Sequence, residues 1–324
     1  MTLFLDEGAV GKLVTMDDAL AAVDAGFTAR ARGVVDNLPR AILHHSGGTV
    51  RITAALIEDQ GYFGVKVSSS AVFGSGAGRL LSLYAIATGR LCAVLQVFGL
   101  GALRTAAVSG VATRLLARPD ADVLGLVGTG RQARTQLEAM RRVRPIHTVR
   151  MVGRDPVRRA TFAEETRGEG LEVEECGTVQ EAVAGAMVVV TATTATEPIL
   201  SGDWLSAGAH VNAIGSNDPS RRELDSAVVA RAELIVADEP AQARYEAADL
   251  IHPVAEGLIG WEEVRGLDEV LTGAVAGRRS AEGITLFESL GTAIGDVALA
   301  ARAYEAALDR GIGQRLPDLS GEVS

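Results

Sequence analysis

At 324 residues, the chain is long enough for two domains or one large α/β domain, and with 48% hydrophobic and 22% charged side chains it is too apolar for global disorder. Thirty-one Lys and Arg against 41 Asp and Glu give a formal charge of −10. No basic block offsets that charge, so neither nucleic acid nor an anionic membrane surface is expected as a partner, although local basic pockets for small anions remain compatible with it.

Met1-Thr2-Leu3-Phe4-Leu5-Asp6-Glu7 lacks the basic start and long apolar run of a signal peptide. Thr15-Met16-Asp17-Asp18 then caps an Ala-rich amphipathic run, which predicts a helix to Arg32. Strands are expected over Val50 to Leu56, Tyr62 to Val67, Leu80 to Ala87 and Leu91 to Val97. The last two flank Thr88-Gly89-Arg90, a connection suited to an antiparallel hairpin. The longest apolar stretch, Leu91 to Leu103, contains Gln96 and is too short to span a bilayer. Arg104 to Ala117 reads as a helix leading out of this unit. Cys92 and Cys176 lie far apart in apolar runs, which points to a reducing compartment without disulfides or a zinc site. A cytoplasmic protein is expected.

After Pro119 the rhythm changes to alternating strands and helices. Strands are expected over Val123 to Val127, Thr148 to Val152, Leu171 to Cys176, Met187 to Thr191, His210 to Ile214 and Leu234 to Ala237. Helices are expected over Gln132 to Arg142 and Val157 to Arg167, with a long one from Thr292 to Arg310. Such alternation implies parallel strands with crossover helices, a doubly wound sheet. The fold class is therefore α/β: a Rossmann domain over 116–294 and a strand-rich mixed α/β platform over 1–115, completed by the C-terminal helix of 295–324.

Gly128-Thr129-Gly130-Arg131-Gln132-Ala133 follows the first parallel strand directly and opens a helix. Glycines there let the backbone turn tightly and approach a pyrophosphate, which rests on the helix N-terminal amides. The loop predicts dinucleotide binding. At the end of the next strand, NAD-type sites carry a carboxylate for the ribose hydroxyls, whereas this chain reads Val152-Gly153-Arg154-Asp155. Gly153 leaves room and Arg154 suits a 2′-phosphate, so NADP(H) is preferred and NAD(H) possible. Arg154 can equally be a solvated loop charge, and a one-residue shift would bring Asp155 to the ribose.

Several segments read together carry more. They are Gly64-Val65-Lys66-Val67, Leu103-Arg104-Thr105-Ala106-Ala107, the glycine loop, Asn212-Ala213-Ile214-Gly215-Ser216, Arg222-Glu223-Leu224-Asp225, and Ser289-Leu290-Gly291-Thr292-Ala293-Ile294-Gly295-Asp296-Val297. In this order the chain resembles the ornithine cyclodeaminase and μ-crystallin family from about Arg40 to Asp296. The resemblance implies a homodimer that moves hydride between NAD(P) and the α-carbon of a small amino or imino acid. It places Arg40, Lys66 and Arg104 at the substrate carboxylate, and Lys66, Asn217 and Asp218 among the catalytic positions. It also extends the cofactor-binding set to Thr191, Thr193, Gly215, Ser216 and Gly291.

Residue chemistry agrees in part. Arginine forks grip carboxylates, and Lys66 stands in an otherwise apolar strand where an unpaired ammonium is costly to bury. A surface-facing strand lysine, a structural ion pair at Arg104 and a loop charge at Arg40 are the plainer alternatives. His44-His45 follow closely and read as a loop pair, solvated or lining the same pocket. Relatives carry an acidic residue at Ala85 and threonine at Gly101, so a less polar, roomier pocket is expected. Cyclodeaminases of the family carry aspartate where Asn217 stands, and an amide cannot serve as the base that their ammonia-releasing reaction asks for. A shift that brought Asp218 into the site would restore it. The expected function is NAD(P)H-dependent reduction of α-imino acids (ketimines), or amino-acid dehydrogenation in reverse. An ornithine or lysine cyclodeaminase using NAD catalytically and a non-enzymatic μ-crystallin-like binding protein are the alternatives.

Overall fold

In the computed structural model, which describes residues 2–46, 48–71 and 78–317, the chain opens with strand β1 (Thr2–Leu5) and helix α1 (Glu7–Leu13). Helix α2 (Met16–Ala31) begins at a reciprocal cap: the Asp18 amide donates to Thr15 Oγ1, and the Thr15 amide donates to the Asp18 carboxylate. Strands β2 (Val35–Asn37), β3 (Ala41–His45), β4 (Gly48–Ile57), β5 (Tyr62–Ala71), β6 (Arg79–Ala85) and β7 (Leu91–Gln96) follow, then helix α3 (Phe98–Leu116). Next come β8 (Val123–Val127), α4 (Arg131–Val143), β9 (Thr148–Val152), α5 (Pro156–Gly168), β10 (Glu172–Glu175), α6 (Val179–Val183), β11 (Val188–Thr191) and β12 (His210–Ala213). Helix α7 (Ser226–Ala230), β13 (Ala232–Ala237), α8 (Pro240–Glu246), α9 (Ala248–Ala255), β14 (Val264–Gly266), α10 (Leu267–Leu271) and β15 (Ile284–Glu288) lead to α11 (Ala293–Arg310) and β16 (Gln314–Leu316).

The described residues fall into two compact units: one from the segments up to Arg104 and from Thr292 onward, the other Thr105–Gly291. The first holds a mixed sheet in the order β16-β1-β7-β6-β5-β4-β2, with β3 also on β4. Helices α2 and α11 pack on each other, and α11 lies on β4 and β5. Gly26 permits that approach, since a Cβ there would stand 2.9 Å from Ile294 Cγ2. The second unit holds a parallel sheet in the order β10-β9-β8-β11-β12-β15-β13-β14. Its neighbouring strands β8 and β11 are nearly unbroken apolar runs, as a sheet covered on both faces requires.

Several expectations shift. Helix α3 starts at Phe98 rather than Arg104, because the Glu7 carboxylate accepts from the Phe98 and Gly99 amides and caps it early. Strand β6 ends at Ala85 rather than Ala87, where Gly89, at φ +66°, donates back to the Ala85 carbonyl and closes a longer connection. His44 and His45 stand on strand β3, exposed, rather than in a loop. Strand β15, central in the second sheet, has no counterpart in the expected series.

Candidate active site

Strand β8 lies between β9 and β11, so the sheet reverses direction of growth at its carboxyl end, the position where open parallel sheets bind ligands. Gly128 follows it at φ +113°, and a Cβ there would lie 2.6 Å from the Ala192 carbonyl oxygen. Only glycine fits. Gly130 caps α4, and a Cβ on it would meet nothing within 4 Å. Thr129, Gly130, Arg131, Arg134, Val157, Arg158 and Thr161 line a cleft beside it. Gln132 and Ala133 continue the same first turn, Ala133 fully buried. A glycine-lined helix N-terminus at a switch point fits a dinucleotide pyrophosphate.

The room beside Gly153 is already taken: a Cβ there would meet Thr129 Oγ1 at 2.6 Å. Arg154 lies next to it, its Nη2 3.4 Å from Thr194 Oγ1. Asp155 is committed elsewhere, accepting from the Val157 and Arg158 amides as the cap of α5.

Further along the same edge, one carboxylate ties two loops together. Glu223 is fully buried, and each of its oxygens takes one backbone amide and one hydroxyl. Oε1 accepts from the Thr193 amide (2.7 Å) and Thr193 Oγ1 (2.6 Å); Oε2 accepts from the Gly215 amide and Thr191 Oγ1, both at 2.8 Å. Behind it, Asp249 accepts from the Glu223 and Leu224 amides, and its own amide donates to Ser216 Oγ. Burial raises Glu223 despite these donors, and burial with the neighbouring Glu223 charge raises Asp249 to about 7. Glu288, at the end of β15, is buried with neither oxygen hydrogen-bonded among the described residues. Burial, with Asp249, Glu223 and Asp238 adding to it, pushes Glu288 well above the carboxylate range. Asp238 accepts from the Leu290 and Gly291 amides, fixing Gly291 at φ +83°.

The first unit presents a different cluster. Lys66 on β5 and Arg104 on α3 both pair with Asp296, in the first turn of α11; Arg104 Nε lies 2.9 Å from Oδ1, and Lys66 Nζ pairs with Oδ2. Asp296 is fully buried. Burial alone would raise its carboxyl, but Arg104 and Lys66 outweigh that and hold it below the usual range. Lys66 is mostly buried, and burial, reinforced by the Arg104 and Arg40 charges against the pull of Asp296, lowers it to about 8. Arg40 thus acts on Lys66 through its charge. At Gly101 a Cβ would meet nothing within 4 Å. Asn217 and Asp218 belong to the second unit, where Asp218 Oδ1 accepts from the Ser220 amide and hydroxyl.

The sequence expectation assigned no role to Asp296, Glu223, Asp249 or Glu288. Asp296 and Glu223 sit inside the quoted segments; Asp296, between Gly295 and Val297, and Asp249, between Ala248 and Leu250, are carboxylates in apolar runs that a core would not otherwise accept, whereas Glu223 follows Arg222 and carries no such sign.

A parallel sheet with this loop at its switch point is a dinucleotide-binding α/β fold of the Rossmann type. The chain belongs to the ornithine cyclodeaminase/mu-crystallin family, whose model matches residues 1–311. It is similar to an alanine dehydrogenase of Archaeoglobus fulgidus, 34% identical over 323 residues, covering 97% of this chain and 98% of that one. The structure of Thermococcus litoralis Delta(1)-pyrroline-2-carboxylate reductase with NADH and L-proline superposes with a TM-score of 0.92 at 33% identity, covering 97% of this chain and 100% of the other. The iminosuccinate reductase of Paracoccus denitrificans, in complex with NAD+, gives 0.89 at 30% identity, covering 97% and 98%.

Proposed function

We propose that the chain is an NAD(P)H-dependent reductase of α-imino acids, acting in reverse as an amino-acid dehydrogenase. The observation that carries this reading is the buried Lys66–Asp296–Arg104 cluster, two cations on one carboxylate, in a family whose named members above act on amino and imino acids. Arg104 and Lys66, with Arg40 nearby, hold the substrate carboxylate, and Asp296 sets their orientation. Gly128, Thr129, Gly130, Arg131, Gln132 and Ala133 hold the cofactor pyrophosphate. Thr191, Thr193, Gly215, Ser216 and Gly291 line its nicotinamide end. When bound there, the reduced cofactor supplies the hydride for the new C–H bond as the C=N π bond breaks. A protonated iminium asks little more of the protein than positioning and exclusion of water. Asn217 cannot take up a proton, and Asp218 is engaged in its own turn, which favours reduction over ammonia release. No helix among the described residues is long and apolar enough to cross a membrane.

Lys66 Nζ, lowered to about 8, exchanges its proton near working pH. The protonated form grips the carboxylate, so kcat/KM for an imino acid is expected to fall as pH rises through about 8. In Lys66→Arg that alkaline limb moves upward; an unmoved limb excludes Lys66 as its source.

The cofactor preference we propose is for NADP(H). Arg154 stands where a ribose carboxylate would be, and Asp155 is occupied by its helix cap. Arg154→Ala should raise the KM for NADPH and leave that for NADH nearly unchanged, and equal effects on both would exclude the assignment.

The assembly we propose is a homodimer through the sheet of the first unit. By register, Leu43, Val67 and Leu80 share one face, exposed by 58%, 43% and 42%. Sedimentation should show a dimer that Leu80→Asp weakens, whereas a monomeric wild type would rule the interface out.

A further inference from the structure

Glu288 ends β15, and its position along the strand sets where its side chain goes. Alternate residues of a strand share a face. Glu288 therefore follows Ile284 and Leu286 onto the side that builds the second unit's apolar core, in a cluster that also holds Leu224 and Leu250. Register sets Ala213 of β12 on one side of it and Ala237 of β13 on the other, and neither alanine side chain offers a hydrogen bond. The backbone beside it is engaged too: its own carbonyl accepts from the Asp238 amide, and the Ser289 amide donates to the Ala213 carbonyl.

The charged groups that face this position are carboxylates: Asp249 from α9, Glu223 from the segment before α7 and Asp238 from the end of β13, with Arg222 acting on Asp249. Glu223 distributes four donors over its two oxygens, and Asp238 takes the Leu290 amide on Oδ1 and the Gly291 amide on Oδ2. Asp249 takes both its amides on Oδ1. Of these four acids, Asp249 Oδ2 and both oxygens of Glu288 have no hydrogen-bond partner among the described residues, and both side chains are fully buried. Two neighbouring anions without a donor between them are too costly for an apolar core. One proton relieves both, because a neutral carboxyl donates a hydrogen bond that a carboxylate accepts. Two amides and Arg222 favour the charge on Asp249, whereas the groups acting on Glu288 are all acids, so the proton resides on Glu288.

We propose that Glu288 donates a proton to Asp249 Oδ2, and that this proton-sharing pair is the positioning element behind the loops that receive the dinucleotide. Its neighbours are the anchors of those loops: Glu223 ties Thr193 to Gly215, and Asp238 holds Leu290 and Gly291. A charge on Glu288 repels all three surrounding carboxylates, so loss of the proton loosens the loops together. Burial, reinforced by those carboxylates, keeps Glu288 protonated far above the ordinary carboxylate range. In the unfolded chain the same side chain ionises as an ordinary glutamate, so above that range the folded state holds one proton more. Stability therefore falls as pH rises, by about tenfold in the folding equilibrium per pH unit for this proton. The positioning role rests on the dinucleotide reading; the shared proton does not.

Glu288→Gln provides the test, because its NH2 group makes the same hydrogen bond to Asp249 without titrating. Urea unfolding of the two proteins is compared between about pH 6 and 8, where the unfolding constant of the wild type should rise by about 100-fold relative to that of the variant. Infrared spectroscopy of the wild type at neutral pH needs no variant: it should show the carbonyl stretch of a protonated carboxylic acid, shifted by heavy-carbon labelling of glutamate. That band should be absent in Glu288→Gln. Fluorescence titration with NADPH reads the positioning role. Glu288→Ala, which strips Asp249 Oδ2 of its donor, should weaken binding by at least about tenfold, and Glu288→Gln should restore it. No protonated-acid band in the wild type, an equal pH dependence of the two stabilities, or stability that follows potassium concentration at constant ionic strength instead of pH would overturn the shared proton. Equal NADPH affinity in Glu288→Ala and the wild type would overturn the positioning role. A wild type that binds neither NADPH nor NADH would overturn the dinucleotide reading, with the urea and infrared results still deciding the pair.

Discussion

Asp296→Ala is expected to unfold at markedly lower denaturant than the wild type, a loss of about 3–5 kcal/mol, because it leaves two cations beside each other without their shared carboxylate. Asp296 is fully buried, and Lys66 and Arg104 keep only 14% and 11% of their side chains exposed, so water cannot replace it well. Turnover should collapse with it, since the same carboxylate orients both groups that grip the substrate. Lys66→Ala separates the two effects: it removes one cation, leaves Asp296 paired with Arg104, and should cost turnover far more than stability. Urea titration at pH 7 reads the first effect and steady-state kinetics the second. An Asp296→Ala protein within about 1 kcal/mol of wild type would mean that the cluster carries little of the fold.

Glu223→Gln should weaken dinucleotide binding by at least about tenfold with a much smaller effect of Asp249→Asn, although both substitutions merely neutralise a buried acid. The difference lies in the donors. Each Glu223 oxygen faces a backbone amide, from Thr193 or from Gly215, so whichever becomes an NH2 group meets another donor that cannot turn away. Asp249 takes its two amides on Oδ1 alone, and Oδ2 has no hydrogen-bond partner among the described residues, so an amide nitrogen fits there. The loops that lose their anchor follow β11 and β12, at the carboxyl edge of the sheet. Fluorescence titration with NADPH measures the effect, and equal affinities for the wild type and Glu223→Gln would show that the anchor does not shape the site.

Much of this was legible because it is local. Val123–Val127 and Thr148–Val152 stand where their β-branched runs predict, and Gly128 and Gly130 open α4 as the loop spacing requires. The first unit yields less, since β2 and β16 are three-residue strands that exist through pairing with β4 and β1 rather than through their own pattern. Helix α3 begins early because of Glu7, 91 residues away in sequence, and no local signal announces that cap. The site divides in the same way. Arg40, Lys66 and Arg104 are recognisable by residue type, but the group that joins two of them, Asp296, is 192 residues from Arg104 and 230 from Lys66. Gly153 reads as free space in the sequence, whereas the fold gives that space to Thr129.

The most direct measurement mixes the purified protein with NADPH, and separately with NADH, and a panel of cyclic and open-chain imino acids, following absorbance of the reduced nicotinamide. Stoichiometric oxidation of NADPH with appearance of the amino acid is expected, abolished in Lys66→Ala. Ammonia and proline or pipecolate released from L-ornithine or L-lysine with catalytic NAD, together with no oxidation of either reduced cofactor by any imino acid, would contradict it.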